Sequence, residues 1–280
     1  MTTLPALAVT GSTGALGGLV ARDLAGRGVS QRLVVRSPER APHLPGAVAV
    51  PAAYRDRDAA VRALDGVRTL LMVSASEAPD RLEEHRTFVD AAVEAGVEQV
   101  VYTSFVGAAP DCTFTLGRDH WATEEHIRSR GVASTFLRDN FYLDFLPHMM
   151  GDDGVIRGPA GNGRVSMVTR ADIARVAVAV LLDPESHRGA SYDLTGPEAI
   201  TLTEAAGILT EVTGRQVSFH DETVEEAYAS RRAWDAPQWQ YDAWVSTYTA
   251  IAAGEVEAVS DDVRRITGRA PIGLREMLAG

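Results

Sequence analysis

The sequence predicts an α/β fold, a doubly wound parallel sheet with a smaller C-terminal α/β cap, and three observations carry that prediction. The first is Leu7–Gly28, where a short apolar strand, three glycines and a helix follow one another without a gap. The second is the repeated alternation of apolar strands with helices as far as Arg138, a pattern that builds parallel sheets covered on both faces. The third is the fading of that alternation after residues 139–142. It divides the chain into 1–150, which carries the glycine turn, and 151–280, a cap packed on the first part or continuous with it.

Leu7, Ala8 and Val9 form a short apolar run with a β-branched end, as in a strand buried on both faces. Gly11, Gly14 and Gly17 then fall three apart, and Leu16, Leu19, Val20 and Leu24 recur at helical spacing. A helix N-terminus thus lies just beyond a strand's carboxyl end. Its free N–H groups and positive dipole end stabilise a diphosphate, provided that glycines keep side chains away. The plain alternative is a glycine-rich turn between any strand and helix; with both flanks present, nucleotide binding is preferred.

Gln31–Arg36 reads as the second strand, stopped by Ser37-Pro38. In dinucleotide folds the residue closing this strand meets the adenosine ribose, and an arginine there favours a 2′-phosphate. Arg36 holds that place, with Arg40 a turn further on, so NADP(H) is preferred to NAD(H) over a merely solvated arginine. Ala47–Pro51 is the third strand. Asp56 precedes a helix over 57–64, either near the adenine edge or as its N-cap. Thr69–Ser74 is a buried fourth strand, after which Ser74, Ala75 and Ser76 pass the carboxyl edge of the sheet. A helix from Pro79 to Ala95 ends at Gly96. Strand Gln99–Ser104, helix Gly117–Arg130 and strand Ala133–Arg138 follow.

Beyond them, Gly158–Gly163 is turn chemistry joining two short strands around Val155 and Val165. Thr169 with Asp172 is a capping pair opening a helix through Leu182. Ala190–Leu194 is a short strand and Thr203–Thr213 a helix, and the chain then reads as helical to its end.

With 45% hydrophobic and 23% charged residues over 280 positions, the composition is that of a globular protein with a sizeable core. A formal charge of -11 without a long basic block argues against nucleic acid and acidic membrane surfaces as partners. Cys112 is the only cysteine, so no internal disulfide forms and a cytoplasmic location is expected. Met1–Pro5 lacks a basic n-region, and neither a signal peptide nor a spanning helix is expected. His120, Glu124 and His126 do not make a zinc pattern, so no metal is expected. The chain has no lysine, and all 27 basic residues are arginine. That excludes Schiff bases, phosphate loops ending in Gly-Lys-Ser/Thr and lysine-assisted tyrosine acids, because arginine stays protonated.

The chain resembles the atypical short-chain dehydrogenase/reductases of the NmrA-like group, nearest to its type 2 NAD(P)H:quinone oxidoreductase and triphenylmethane reductase branches. The resemblance rests on residues 9–18, Val-Val-Arg-Ser-Pro (34–38), residues 70–76, Val-Tyr-Thr-Ser (101–104), residues 120–124, Thr-Phe-Leu-Arg-Asp-Asn-Phe-Tyr (135–142), residues 168–172 and 260–268, in order along nearly the whole chain. It implies a Rossmann-type NADPH site built from Gly11, Ser12, Thr13, Gly14, Ala15, Leu16 and Gly17, with Arg36 and Ser74, Ala75 and Ser76. Leu137, Arg138, Asp139, Asn140, Phe141 and Tyr142 would run past the nicotinamide, with Arg170 nearby or held in a helix-start salt bridge.

Most short-chain dehydrogenases use Tyr-x-x-x-Lys, the lysine lowering the tyrosine pKa. Relatives with a lysine on this helix place it at or near His120. Its absence disfavours alcohol–ketone interconversion but not quinone reduction, where the product charge is delocalised and protons can follow from water or from Tyr142, His120 or Ser104. The cationic carbon of a triphenylmethane dye needs only hydride. His120 reads alternatively as a structural histidine with Glu124 one turn along, and Tyr142 as core. Trp234, Trp239 and Trp244 lie with Tyr241 and Tyr248 in one stretch, Tyr241, Trp244 and Tyr248 sharing a helix face. They are either core or, with Phe141, Tyr142 and Phe145, walls around a flat substrate. The leading function is an NADPH-dependent reductase of quinones or similar electron-poor aromatics, with a homodimer left open. The alternative is a non-catalytic NADP(H)-sensing regulator.

Overall fold

The computed structural model describes residues 4–279. In chain order its first elements are β1 (Leu7–Thr10), α1 (Ala15–Gly26), β2 (Gln31–Val35), β3 (Ala47–Pro51), α2 (Arg57–Leu64), β4 (Thr69–Met72), α3 (Arg81–Glu94), β5 (Gln99–Phe105), α4 (Thr115–Ser129) and β6 (Ala133–Asp139). Then come β7 (Val155–Gly158), β8 (Arg164–Val165), α5 (Arg170–Leu182), β9 (Ser191–Leu194), β10 (Ile200–Thr201), α6 (Leu202–Thr213) and β11 (Ser218–Asp221). The last four are α7 (Val224–Arg231), α8 (Gln238–Ala252), α9 (Asp262–Thr267) and α10 (Leu274–Ala279).

Seven strands form one sheet in the order β3-β2-β1-β4-β5-β6-β9. The pairs β3/β2, β2/β1, β1/β4 and β4/β5 are parallel. Every residue of β2 and β5 is buried, which suits strands covered by helices on both sides. Strand order reverses between β1 and β4, the switch point where α/β sheets open a ligand crevice at their carboxyl edge. The doubly wound α/β fold expected from the alternation is therefore present.

The chain forms two compact units. One contains the chain up to Ser104, Trp121–Arg138 and Ile173–Tyr192; the other contains Phe105–His120, Asp139–Asp172 and the chain from Asp193 on. The segments of the two units interleave along the chain: α5 from Ile173 on and the first half of β9 belong to the sheet unit. The core of the first unit includes Leu64, Leu70, Met72, Phe88, Val100 and Phe136; that of the second includes Leu143, Leu146, Ile156, Val165, Leu209 and Ile251.

Two local expectations are corrected. The strands flanking Gly158–Gly163 exist but do not pair with each other: β8 pairs antiparallel with β10, and β7 pairs parallel with β11. The loop instead lies on α8, since a Cβ at Gly158 would overlap the Tyr248 ring and one at Gly163 the Ile251 carbonyl. The tail is also not wholly helical, because β11 intervenes. No helix among the described residues is long and apolar enough to cross a membrane.

Candidate functional site

The carboxyl ends of β1, β2 and β4, adjacent and parallel, deliver three candidate segments to one edge of the sheet. After β1 the chain turns at Gly11, whose φ of 65° lies in the left-handed region that glycine tolerates. Gly14 N–H donates to the Gly11 carbonyl at 2.9 Å, closing the turn. A Cβ at Gly17 would overlap that same carbonyl oxygen, so only glycine lets α1 start this close to β1.

The start of α1 has the features of an anion site. Gly14 is its N-cap and supplies no side-chain cap, and the first turn carries no acidic residue. The amides there keep their donors for an external anion. Thr13, Gly14 and Ala15 are exposed, while Ser12 is 2% exposed and its hydroxyl has no partner. A buried hydroxyl left unsatisfied costs about 1–3 kcal/mol, so this one fits a phosphate oxygen. Arg36, directly after β2, is exposed and makes no ion pair with another described residue. Asp56 accepts the Ala59 amide at 3.0 Å, making it the N-cap of α2.

The segment after β4 is held from beneath by side chains. Ser74 N–H donates to Thr103 Oγ1 at 2.8 Å. Ala75 is gripped at both ends, its N–H donating to His85 Nε2 at 2.9 Å and its carbonyl accepting Arg81 Nε at 2.9 Å. His85 is fully buried, and its Nδ1 meets Thr123 Oγ1 at 2.9 Å. Burial, then the Arg81 charge, pushes its pKa well below the ordinary value, so the neutral ring accepts at Nε2. Thr10 Oγ1 accepts the Val73 amide at 2.9 Å, and Tyr54 donates to the Val73 carbonyl at 2.5 Å. Sequence reading missed Tyr54, Arg81 and His85. The available signal was a polar pair, Arg81 and His85, four apart on the same face as the apolar Phe88 and Ala92 of α3.

The Ser104 hydroxyl, near the end of β5, donates a hydrogen bond to Glu124 Oε1 at 2.6 Å. Glu124 has no exposed surface and also accepts Arg138 through two bonds, at 2.9 and 2.7 Å. Ser104 and Arg138 are thus engaged within the protein, and Leu137 is buried in β6.

The remaining candidates, from Asp139 on, belong to the second unit. Asn140 is 1% exposed and fully used, donating to Ser166 Oγ and the Val256 carbonyl and accepting the Phe141 amide. Phe141 packs in an aromatic cluster with Phe105 and Phe114, ring centroids 5.0 and 5.1 Å away. His120 is buried with its ring 6.2 Å from Phe105. The half-buried Tyr142 donates to Asp139 Oδ2 at 3.2 Å, while Asp139 Oδ1 has no partner. The Tyr142 ring lies nearly parallel to Phe145, 12° between planes, and Phe145 is 51% exposed. Arg170 covers Phe145 at 5.1 Å and pairs with Asp144 at 3.2 Å. Tyr142, Phe145 and Arg170 therefore make one solvent-facing aromatic and cationic surface. Trp244 packs edge-on to Trp234 and Tyr241. Tyr248, 8% exposed, packs on Gly158 under the Arg231 guanidinium and serves the core rather than a substrate wall.

A glycine-closed turn at the switch point of a parallel sheet defines a dinucleotide-binding α/β protein of the Rossmann type. The NmrA-like family model matches residues 5–232, and the chain belongs to that family. It is 31% identical to quinone oxidoreductase 2 of Escherichia coli K12, over 98% of this chain and 97% of the relative. The crystal structure of an NADPH-dependent quinone oxidoreductase from Escherichia coli, complexed with NADPH, is similar with a TM-score of 0.89 at 30% identity, covering 98% of each chain. The triphenylmethane reductase of Citrobacter sp. is similar with a TM-score of 0.86 at 31% identity, again over 98% of each chain. The transcriptional regulator NmrA, at 16% identity and a TM-score of 0.75, shares the fold.

Proposed function

We propose that this protein is an NADPH-dependent oxidoreductase that passes hydride to quinones or similar electron-poor aromatic acceptors. The observation that carries the reading is the uncapped start of α1 beside the buried, partnerless Ser12 hydroxyl. Gly11–Gly17 bind the diphosphate, Arg36 takes the 2′-phosphate, and Ser74–Ser76, fixed by His85, Arg81 and Thr103, flank the ribose. When bound, the reduced nicotinamide supplies the hydride.

The residues of this chain hold and orient the reactants. The exposed Phe145, its neighbour Tyr142 and the covering Arg170 offer a flat acceptor an aromatic and cationic face. Tyr142 is the group of this face that can give a proton. The 31% identity to named reductases over nearly the whole chain, against 16% to the regulator NmrA, supports the redox reading above a purely sensing role.

The test mixes purified protein with NADPH and a panel of quinones and cationic dyes and follows nicotinamide absorbance. Turnover well above the protein-free rate is expected. Tight binding of both NADP⁺ and NADPH without turnover would assign the chain to the sensing class. Arg36→Asp removes a charge-assisted contact worth about 1.5–3 kcal/mol. It is expected to weaken NADPH by about 10- to 100-fold while leaving NADH nearly unchanged; equal loss of both would remove the 2′-phosphate assignment.

A further inference from the structure

Asp139 closes β6 in an unusual state for a carboxyl group. It is 2% exposed, and one oxygen meets only the Tyr142 hydroxyl at 3.2 Å. The other oxygen has no hydrogen-bond partner at all. Among the described residues no arginine is paired with it: Arg138, the preceding residue, pairs with Glu124, and Arg170 pairs with Asp144. The histidine of this unit's aromatic cluster, His120, lays its ring toward Phe105. A carboxylate in such a place bears the full cost of desolvation, which the neutral acid avoids.

We propose that Asp139 is a proton store that resupplies Tyr142 when Tyr142 protonates the oxyanion left by hydride addition to a quinone; the proposal rests on the reductase reading above. Hydride addition converts the quinone to a hydroquinone monoanion, which takes one proton. The Tyr142 O–H bond breaks as the hydroquinone O–H bond forms. The Asp139 carboxyl O–H then breaks as the Tyr142 O–H is restored, leaving a carboxylate that regains its proton from solvent. No protein group changes oxidation state, and the two electrons come from the reduced nicotinamide. Burial drives the Asp139 pKa well above the ordinary carboxyl range, opposed only by the Tyr142 hydrogen bond, so the acid form is held ready. The pair offers a lysine-free chain a proton route for acceptors whose reduced form is an anion. A cationic triphenylmethane dye is neutralised by hydride alone and needs no such route.

The discriminating measurement is the ratio of turnover with a naphthoquinone to turnover with a cationic triphenylmethane dye, both with NADPH, across pH. Asp139→Asn and Tyr142→Phe are each expected to lower that ratio by about 100-fold, the lower end of what a positioned general acid contributes. The double variant is expected to lose no more than either single one, as for groups acting in series. In the wild type the quinone rate falls as pH rises through the Asp139 pKa, and Asp139→Asn removes that limb. NADPH affinity, measured by fluorescence in each variant, separates loss of cofactor from loss of proton delivery. A carbon-13 aspartate titration of the cofactor-free wild type needs no variant: one aspartate is expected to stay protonated well above the usual carboxyl range. An unchanged acceptor ratio, or ordinary titration of every aspartate, overturns the relay. If the wild type reduces neither acceptor, the reductase reading fails first and takes the relay with it.

Discussion

Glu124 has no exposed surface, yet it accepts hydrogen bonds from Ser104, Arg138 and Arg128. Truncating one member of a buried charge cluster strands the others, at about 3–5 kcal/mol. Glu124→Ala is therefore expected to lower unfolding free energy by that amount in urea titration, and a loss under about 1 kcal/mol would show the network to be dispensable. His85 makes a second residue-scale prediction. Its folded pKa lies below its unfolded value of about 6.5, so the unfolded chain binds more protons in acid. The stability that neutral His85 supplies is present above about pH 6.5 and is lost as pH falls below it. Urea midpoints measured down the acid range should fall less steeply for His85→Gln than for wild type. Asp139 has the opposite sign: its raised pKa makes the folded state lose stability as pH rises through the acid range, so Asp139→Asn should raise the neutral-pH thermal midpoint.

At the scale of elements, the glycine turn and α1 form the most constrained piece. Gly17→Ala places a methyl group on the Gly11 carbonyl and must push α1 off β1. NADPH binding by calorimetry should drop by at least about tenfold, with an overpacking cost of about 1–3 kcal/mol; wild-type affinity would refute the close-approach argument. This piece was legible in the sequence, as were β1 to β6, because continuous apolar runs bounded by turn residues leave few alternatives. The strand β11 was not legible. Of Ser218–Asp221 only Phe219 is partly buried, so no alternation marks it, and its partner β7 lies some sixty residues earlier. The tyrosine of the aromatic stripe was ambiguous for a related reason. Helical spacing places Tyr248 on a face but does not reveal that Gly158 lets the ring sink into the core. The Asp139 carboxyl drew attention only through the motif around it, since a one-letter code does not show which oxygen lacks a partner.

At the scale of the molecule, the interleaving of the two units matters most. Residues 173–192 belong with the sheet unit, and most of α5 from Ile173 to Leu181 is buried. A fragment ending at residue 150 lacks that helix and leaves β6 as an open edge next to a bared apolar surface. Expressed alone, it is expected to aggregate or elute as a broad species with weak dichroism. A monodisperse, cooperatively unfolding fragment would contradict the interleaved division. A composition-based reading places one boundary where the strand–helix alternation fades, because chain order does not show later segments returning to an earlier sheet.

The proposed reaction requires a dinucleotide diphosphate held at the start of α1 with its 2′-phosphate on Arg36. Calorimetric titration of the wild-type protein with NADPH and then with NADH tests that most directly. Saturation at one NADPH per chain, tighter than NADH by about 10- to 100-fold, is the predicted result. An absence of binding heat for both nucleotides, with no protection against thermal unfolding, would contradict it.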